Sequence, residues 1–329
     1  MTRKKFCYAL AIALMIVNMN SSLFSLNREL SAIRLKEVLT IGSLNDDLLF
    51  QWVGVASDSE GNIYVTDAMD YSLKKFNPQG KLIKKTGGKG QGPGEFMAPR
   101  SLGSSQKYLY AVDQYLLGLH VFDLELNFKH RLPLKFPVDD LKVISDSQLA
   151  VSTISPNRPP RVYIFDASGQ LVKEIIYDDK TLPLMMDMIS FDFDSEGNLF
   201  LVYSYQDKIE KFSPQQKKLW TTSLFKGKKS KRKKVASFIV PQDVIYKDAV
   251  LDKRGYLFVL GGDFSKNKSR DVYVLNSEGK HLTTFTLSEP SHCLYIDQHN
   301  FLYSRAGEGI SLKKYQIDYI YGKSVKSEK

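Results

Sequence analysis

Cysteine and tryptophan are scarce in this sequence, which holds two of each among 329 residues. Cys7 lies in an N-terminal segment that we expect to be removed, so Cys293 has no partner for an intramolecular disulfide. We interpret Cys293 as a small apolar residue packed on an inner strand. Without disulfides, stability must come from apolar burial, which favours one large closed core over a small cross-linked scaffold.

The apolar run at the N terminus is too short to span a bilayer. Arg3, Lys4 and Lys5 precede an apolar run over residues 6–17, and polar residues follow it. This order is typical of a secretory signal, although no clear cleavage site is present. We expect a signal peptide over residues 1–25, a folded domain over 26–322 and a polar tail over 323–329. The mature protein is then periplasmic or extracellular, or tethered to the membrane if the signal stays uncleaved.

Net positive charge is absent from most of the chain, despite an overall net charge of +10. Arg3, Lys4 and Lys5 carry three charges, and residues 226–234 carry seven more. The rest of the chain is therefore formally neutral. The high pI describes one segment rather than a broad basic surface, which argues against nucleic acid as the partner.

Helical periodicity is almost absent, and alternation of apolar and polar residues replaces it. Residues 53–99 contain three alternating runs separated by SEGN, AMD and NPQG, and a glycine-rich segment follows. Such runs between turn residues are typical of half-buried antiparallel strands. The second run, GNIYVTD, recurs at intervals of 40 to 58 residues, with these positions aligned: Tyr64, Tyr110, Ala150, Phe200, Phe258 and Leu302.

Six units of about four short strands predict an all-β fold, a six-bladed β-propeller with four-stranded antiparallel blades. The ring must be closed, because an open ring exposes a sheet edge. Residues 36–42 (KEVLTIG) resemble the outer-strand segment LIKKTG, so we expect an N-terminal strand to complete the last blade. Ile320 and Tyr321 are the alternative source of that edge.

The segment GGKGQGPGEFMAP, with D-x-x-G-N-x-Y-V-x-D and F-x-P-x-G-K-L ahead of it, resembles NHL-type propellers, especially bacterial secreted six-bladed ones. The resemblance extends over about residues 36–320 and implies a binding or scaffolding module without naming a ligand. The glycines also allow a phosphate cradle. However, the segment lacks the Lys-Ser/Thr pair of a P-loop and precedes no helix. We interpret it as the link between two blades.

The resembled fold places the starts of the inner strands around the mouth of a central channel. It puts six candidate ligand-binding residues there or close behind: Arg100, Asp140, Asp187, Asp248, His292 and Arg305. Mixed charge on one rim suits a polar or zwitterionic ligand, or a protein partner. The same residues could also serve only to solvate loop ends and pair with their neighbours.

Enzymatic activity is the alternative function. Amidating lyases with similar repeats hold zinc through histidines at inner-strand starts, but here His292 is accompanied by Trp52 and Arg100. One histidine does not hold a catalytic zinc ion, which takes three protein ligands. Lactonase-type propellers hold one divalent ion through carboxylates and amides, and spacing identifies no such set. No G-x-S-x-G, H-E-x-x-H or EF-hand pattern is present, so we expect no catalytic residue, no metal and no cofactor.

The basic segment over residues 226–234 is the most unusual feature. We interpret it as a solvated loop on the mouth face, either a tolerated insertion or an anion-binding loop. Its candidate anion-binding residues are Lys228, Lys229, Lys231, Arg232, Lys233 and Lys234. We expect a monomeric binding module whose partner is a protein, peptide or polysaccharide, with an anionic surface as a further partner for the basic loop.

Overall fold

The computed structural model describes residues 29–153, 161–176, 188–235 and 238–322. In these ranges the chain forms antiparallel β-sheets and one 3₁₀ turn, Gly307–Gly309. Six sheets have four strands each, and their innermost strands together line one central channel. The predicted six-bladed propeller is confirmed. No helix in the described part of the chain combines the length and apolarity needed to cross a membrane.

The blades follow one another in chain order, and their strands are numbered from the N terminus. Blade 1 consists of β2 (Trp52–Ser57), β3 (Ile63–Asp67), β4 (Ser72–Phe76) and β5 (Leu82–Gly87). Blade 2 consists of β6 (Pro99–Ser104), β7 (Tyr108–Asp113), β8 (Gly118–Asp123) and β9 (Phe128–Pro133). Blade 3 consists of β10 (Val138–Ser145), β11 (Gln148–Thr153), β12 (Arg161–Asp166) and β13 (Leu171–Ile176). Blade 4 consists of β14 (Ile189–Phe193), β15 (Leu199–Tyr203), β16 (Ile209–Phe212) and β17 (Lys218–Thr222). Blade 5 consists of β20 (Tyr246–Leu251), β21 (Leu257–Gly261), β22 (Asp271–Leu275) and β23 (His281–Thr286). Blade 6 consists of β24 (Leu294–Ile296), β25 (Phe301–Ala306) and β26 (Ser311–Tyr321), and its outermost strand is the N-terminal β1 (Leu30–Ile41).

In blades 1, 4, 5 and 6, the first two strands are joined by a turn that an aspartate stabilises. In blade 1, the Asp58 carboxylate accepts hydrogen bonds from the backbone N–H groups of Glu60 (3.0 Å) and Asn62 (2.9 Å). Gly61 lies in this turn with φ +82°, a conformation that favours glycine. Such aspartate turns return the chain within a few residues. The recurring D-x-x-G-N pattern therefore marks the end of the channel opposite the mouth.

A second aspartate, at the end of the second strand, fixes the connection that enters the same blade at the mouth. Asp67 is fully buried and accepts hydrogen bonds from the backbone N–H groups of Phe50 (2.8 Å) and Gln51 (3.0 Å). Asp113 holds Met97 and Ala98 in the same way in blade 2. Because these carboxylates satisfy backbone donors, the mouth connections are held rigidly against the blades.

The glycine-rich segment is the link between blades 1 and 2. Gly88 has φ +124°, and its carbonyl accepts the backbone N–H of Phe96 at 2.9 Å. The Phe96 side chain is fully buried and packs with Tyr64 of blade 1 and Phe122 of blade 2. The segment thus carries the chain from one blade to the next and fills the seam between them.

An N-terminal strand closes the ring, as predicted. β1 pairs antiparallel with β26, from Leu30 opposite Tyr321 to Ile41 opposite Leu312. The strand is longer than the resemblance indicated, because β1 begins at Leu30 rather than near residue 36. Ile320 and Tyr321 continue β26, the third strand of blade 6, so they do not form the outer edge.

The basic segment is not an irregular loop, which corrects the interpretation from the sequence. Its second half belongs to β18 (Arg232–Val235), which forms a hairpin with β19 (Phe238–Pro241). Arg232, Lys233 and Lys234 therefore lie on a strand. The expected solvation is confirmed, because the lysines and the arginine of residues 226–234 are all exposed.

Candidate functional site

The candidate site is a cavity of about 230 Å³ at one end of the channel, which we call the mouth. Connections from fourth to first strands and from second to third strands meet there. Five of the six predicted residues line it: Arg100, Asp140, Asp248, His292 and Arg305. The sixth, Asp187, lies outside the described residues. The structure thus brings together side chains from blades 2, 3, 5 and 6.

The basic side of the mouth contains a lysine that the sequence analysis missed. Lys247, the second residue of β20, approaches His292 with 3.0 Å between its Nζ and the histidine Nδ1. Burial lowers the pKa of Lys247, and Asp263 acts against this shift. Burial also lowers the pKa of His292, and the charges of Lys247 and Arg305 lower it further. A neutral His292 can therefore accept a hydrogen bond from the Lys247 ammonium.

Arg305, the penultimate residue of β25, is held by the 3₁₀ turn that follows it. Its Nη2 donates to the Glu308 carbonyl at 2.7 Å, and its backbone N–H donates to Ser291 Oγ at 3.0 Å. Its Nε is buried and has no hydrogen-bond partner among the described residues. Burial is the main cause that lowers the pKa of Arg305.

No carboxylate of the described residues forms a direct ion pair with this basic side. Arg100 donates from Nε to the Gln114 side chain at 3.2 Å, an uncharged partner. Among the described residues, Arg100, Lys247, His292 and Arg305 form no ion pair. Four basic groups therefore converge on one cavity, and Asp140 and Asp248, which also line it, form no ion pair with these groups. Such an arrangement attracts an external anion.

Asp140 borders both the mouth and the channel below it. Its Oδ1 accepts hydrogen bonds from Ser101 Oγ of blade 2 (2.7 Å) and from the backbone N–H of Leu141 (2.8 Å). The Lys142 ammonium lies 3.7 Å from its Oδ2. The side chains of Asp140 and Lys142 each retain 23% exposure, because they face the channel.

Asp248 connects three blades. Its carboxylate accepts hydrogen bonds from Ser190 Oγ of blade 4 (3.0 Å) and from the backbone N–H groups of Ala249 (2.8 Å) and Leu294 of blade 6 (2.7 Å). Burial raises the pKa of Asp248 to about 6, with Lys142 acting against the shift. The position fits a structural role between blades as well as a place in the site.

Below the mouth, the innermost strands surround a channel cavity of about 280 Å³. Asp192 lines it and accepts the backbone N–H of Leu251 of the next blade at 2.9 Å. Burial raises the pKa of Asp192, and Lys142 opposes this. The charges of Asp140, Asp192 and Asp248 raise the pKa of Lys142 against its burial. Lys142 is therefore the internal counterion of these carboxylates.

Cys293 borders this channel rather than lying wholly within the apolar core. Its side chain is partly buried and packs against the core residues between blades 6 and 1. Burial raises the pKa of the thiol well above its usual range. The packing role was expected, whereas the contact with the channel was not.

Lys142, Asp192 and Lys247 were missed although the sequence carried a signal for them. All three lie on innermost strands, in DDLKVIS, ISFDF and YKDAVL. An ionisable residue on such a strand either faces the channel or is buried between sheets at high cost. Charged positions in the first strand of each unit therefore indicate channel-lining residues.

The residues do not fit the catalytic metal that similar propeller enzymes imply. Within the described ranges, no three His, Cys, Asp or Glu side chains form a group that could hold a metal ion. The channel carboxylates Asp140, Asp192 and Asp248 act on the ammonium of Lys142, which lies 3.7 Å from Asp140. His292 has Lys247 as its neighbour instead of a second histidine.

The comparisons with known proteins agree with this architecture. The DUF5128 family model, described as "6-bladed beta-propeller", matches residues 43–308. The chain belongs to this family. The family description does not mention NHL repeats. No curated protein matches the chain.

Solved structures with this fold include enzymes and proteins of unknown function. The chain is similar to a structural genomics protein of unknown function from Bacteroides thetaiotaomicron (TM-score 0.61, 10% identity, 87% of this chain and 76% of that one). It is similar to a gluconolactonase from Xanthomonas campestris (TM-score 0.58, 12% identity, 87% of this chain and 100% of that one). It is also similar to virginiamycin B lyase from Staphylococcus aureus (TM-score 0.54, 12% identity, 88% of this chain and 100% of that one). At such low identity the likeness concerns the fold alone.

Proposed function

We propose that this propeller is an exported, non-enzymatic binding module that takes an anionic group of its ligand into the mouth. One observation carries the proposal: Arg100, Lys247 and Arg305 converge with His292 on one cavity, without an ion-pair partner among the described residues. A carboxylate is the simplest group that satisfies them. Charge-assisted hydrogen bonds to it would be stronger than neutral ones.

The opposite side of the mouth suits a polar group on the same ligand. Asp140 and the serines around it offer acceptors and hydroxyl groups close to the basic side chains. A ligand with an anionic end and a hydroxyl or ammonium end would therefore match both sides. We propose that this ligand is part of a protein, a peptide or a polysaccharide, that nucleic acid is not the partner, and that the chain acts as a monomer.

Calorimetric titration with glucuronate and with glucose tests the mouth directly. The cavity lies at the small end of ligand pockets, so a monosaccharide probe is appropriate. We expect glucuronate to bind and neutral glucose not to bind. Arg305→Gln should weaken glucuronate binding at least about tenfold, because it removes a charged donor. Lys107→Gln, on an exposed turn at the opposite end, should leave the affinity unchanged.

The proposal would be abandoned if glucose and glucuronate bound equally, or if Arg305→Gln and Lys107→Gln had the same affinity as the unaltered chain. The absence of glucuronate binding together with retained binding of a cationic sugar such as glucosamine would assign the site to Asp140 and Asp248 instead.

A metal-assisted lyase or hydrolase is the second candidate function. The fold shared with a gluconolactonase and a lyase favours it. The side-chain arrangement opposes it, because Lys142 faces the carboxylates that would bind a cation. Metal analysis of the purified protein separates the two functions. A stoichiometric divalent ion that is lost in Asp140→Asn would favour the enzyme.

We also propose that residues 1–25 direct export and that the repeat is of the NHL type. The basic run, the apolar run and the polar run support export. The D-x-x-G-N and glycine-rich patterns of blade 1 support the NHL assignment. Detection of the chain in the periplasmic or extracellular fraction would test the first of these proposals.

A further inference from the structure

The basic segment is a fixed part of the mouth face. Asp207, in the connection between β15 and β16, accepts backbone hydrogen bonds from Leu224 (2.9 Å), Phe225 (2.8 Å) and Gly227 (2.7 Å). The buried Ser230 accepts the backbone N–H groups of Gln242 and Asp243 at its Oγ. These bonds fasten the base of the β18–β19 hairpin to blade 4, so its charges have a defined position.

Further cations from blade 5 extend this charged region. The connection between β21 and β22 carries the exposed Lys266 and Lys268. Its Phe264 ring lies 4.8 Å below the Lys228 ammonium, which places the two segments side by side. We call the whole set the basic face, and its members are Lys226, Lys228, Lys229, Lys231, Arg232, Lys233, Lys234, Lys266 and Lys268. None of them forms an ion pair with a described residue.

We propose that the basic face docks this propeller onto an anionic lipid bilayer, with the mouth turned toward the lipid surface. Cations beside a bilayer that contains anionic lipids are attracted to it individually, without a specific partner for each. Apart from the N-terminal basic residues, the chain is formally neutral outside the 226–234 segment. No general charge therefore competes with this orientation.

Apolar residues within the hairpin favour lipid over a soluble polyanion. The cationic strand β18 pairs along its length with β19, in which Val240 and Pro241 are partly exposed. Val235, directly after Lys234, is 49% exposed. Cationic and apolar residues side by side match the boundary between head groups and acyl chains. An acidic polysaccharide or a nucleic acid would use the cations but would gain nothing from Val235, Val240 and Pro241.

Binding to vesicles tests this surface. The full chain would be sedimented with phosphatidylcholine vesicles that contain about one third phosphatidylglycerol, and with pure phosphatidylcholine vesicles. The apolar run over residues 6–17 can attach to vesicles of either kind, so the difference between the two is the informative quantity. Each cation near an anionic surface contributes roughly a fivefold gain in partitioning. The triple variant Lys231→Gln, Lys233→Gln, Lys234→Gln should therefore bind the anionic vesicles about a hundredfold more weakly than the unaltered chain.

A control with the same net charge is available on the opposite end of the ring. Lys107, Lys217 and Lys253 are exposed on turns there. The triple variant with glutamine at these positions should bind the anionic vesicles less than about threefold more weakly than the unaltered chain. If the hairpin variant fails to fold, Lys266→Gln with Lys268→Gln alters the same face through a separate connection. The affinity of that double variant for the anionic vesicles should fall about twentyfold.

Equal losses in the hairpin and control variants would overturn the proposal, since net charge alone would then explain the binding. So would equal binding to both kinds of vesicle. Alginate and duplex DNA serve as competitors. If either displaces the chain from vesicles and binds it more tightly than the anionic lipid does, the basic face is a polyanion site instead. Because this test does not involve glucuronate, its failure leaves the proposed ligand site unaffected.

Discussion

At the scale of single residues, Gly309 determines where Arg305 can lie. Gly309 has φ +104°, and a Cβ added to it would stand 2.5 Å from the Arg305 Nη2 and 2.6 Å from its Nε. A side chain at this position would therefore displace the guanidinium. The bond from Arg305 to the Glu308 carbonyl depends on the same turn. We regard Gly309 as a positioning residue for the basic side of the mouth.

Gly309→Ala should weaken glucuronate binding about as much as Arg305→Gln, by tenfold or more, because it moves the same group. Gly88→Ala is the matched control, since Gly88 has φ +124° but no atom within 4 Å of an added Cβ. Both variants should lose similar stability from backbone strain, about 1 kcal/mol. Calorimetry and denaturant unfolding of both variants measure the two effects. Equal glucuronate affinities would refute the positioning role.

The sequence predicted the neighbourhood of the site better than its contacts. Arg100 and His292 were placed at the mouth because the repeat marks where each inner strand starts. The pairing of Lys247 with His292 depends on two adjacent blades and has no local sequence signal. The contact of Gly309 with Arg305 likewise arises only when the chain folds back after β25.

At the scale of elements, β1 shows what a sequence repeat can and cannot predict. Residues 36–42 resemble an outer strand, which is why ring closure was predictable. Residues 30–35 lie outside that resemblance, yet they extend the pairing to the end of β26. The hairpin of β18 and β19 was unpredictable for another reason: consecutive lysines show no apolar alternation and have low strand propensity.

Ile41→Ala should destabilise the protein by about 3 kcal/mol, because Ile41 is only 1% exposed and packs in the core between blades 6 and 1. Val38→Ala on the same strand is the control, since Val38 is 44% exposed and should change stability by less than about 0.5 kcal/mol. Denaturant unfolding measures both.

Deletion of residues 26–42 should lower the melting temperature sharply, since it exposes the edge of β26 and removes the buried Leu30, Ile33 and Ile41. An unchanged melting temperature after the deletion would show that β1 does not close the ring.

At the scale of the whole molecule, the blades are joined through the channel by charged side chains as well as by apolar packing. Asp192 binds the backbone of blade 5, and Asp248 binds that of blade 6. Both carboxylates are partly buried in the channel, and desolvation raises the pKa of each, so their ionised forms are costly unless a cation is near. Lys142, from blade 3, is that cation. The stability of the ring should therefore depend on pH through this group of residues.

The sign of this dependence follows from the direction of the pKa shifts. The folded-state pKa of Asp248 is raised from 3.8 to about 6. Its contribution to stability is therefore fully present below about pH 4 and is lost as the pH rises through about 6. Lys142 limits this loss, because its charge lowers the pKa of both Asp248 and Asp192.

Lys142→Met should destabilise the protein by about 3 kcal/mol at pH 8, where the channel carboxylates are ionised, and by only about 1 kcal/mol at pH 5. Lys211→Met is the control. Lys211 pairs with Asp194 at 3.0 Å, and the pKa of that carboxyl is lowered, so the pair stays ionised at both pH values. Its substitution should cost the same free energy at pH 5 and pH 8. Denaturant unfolding at the two pH values measures both differences, and a pH-independent cost for Lys142→Met would show that its ammonium does not neutralise the channel carboxylates.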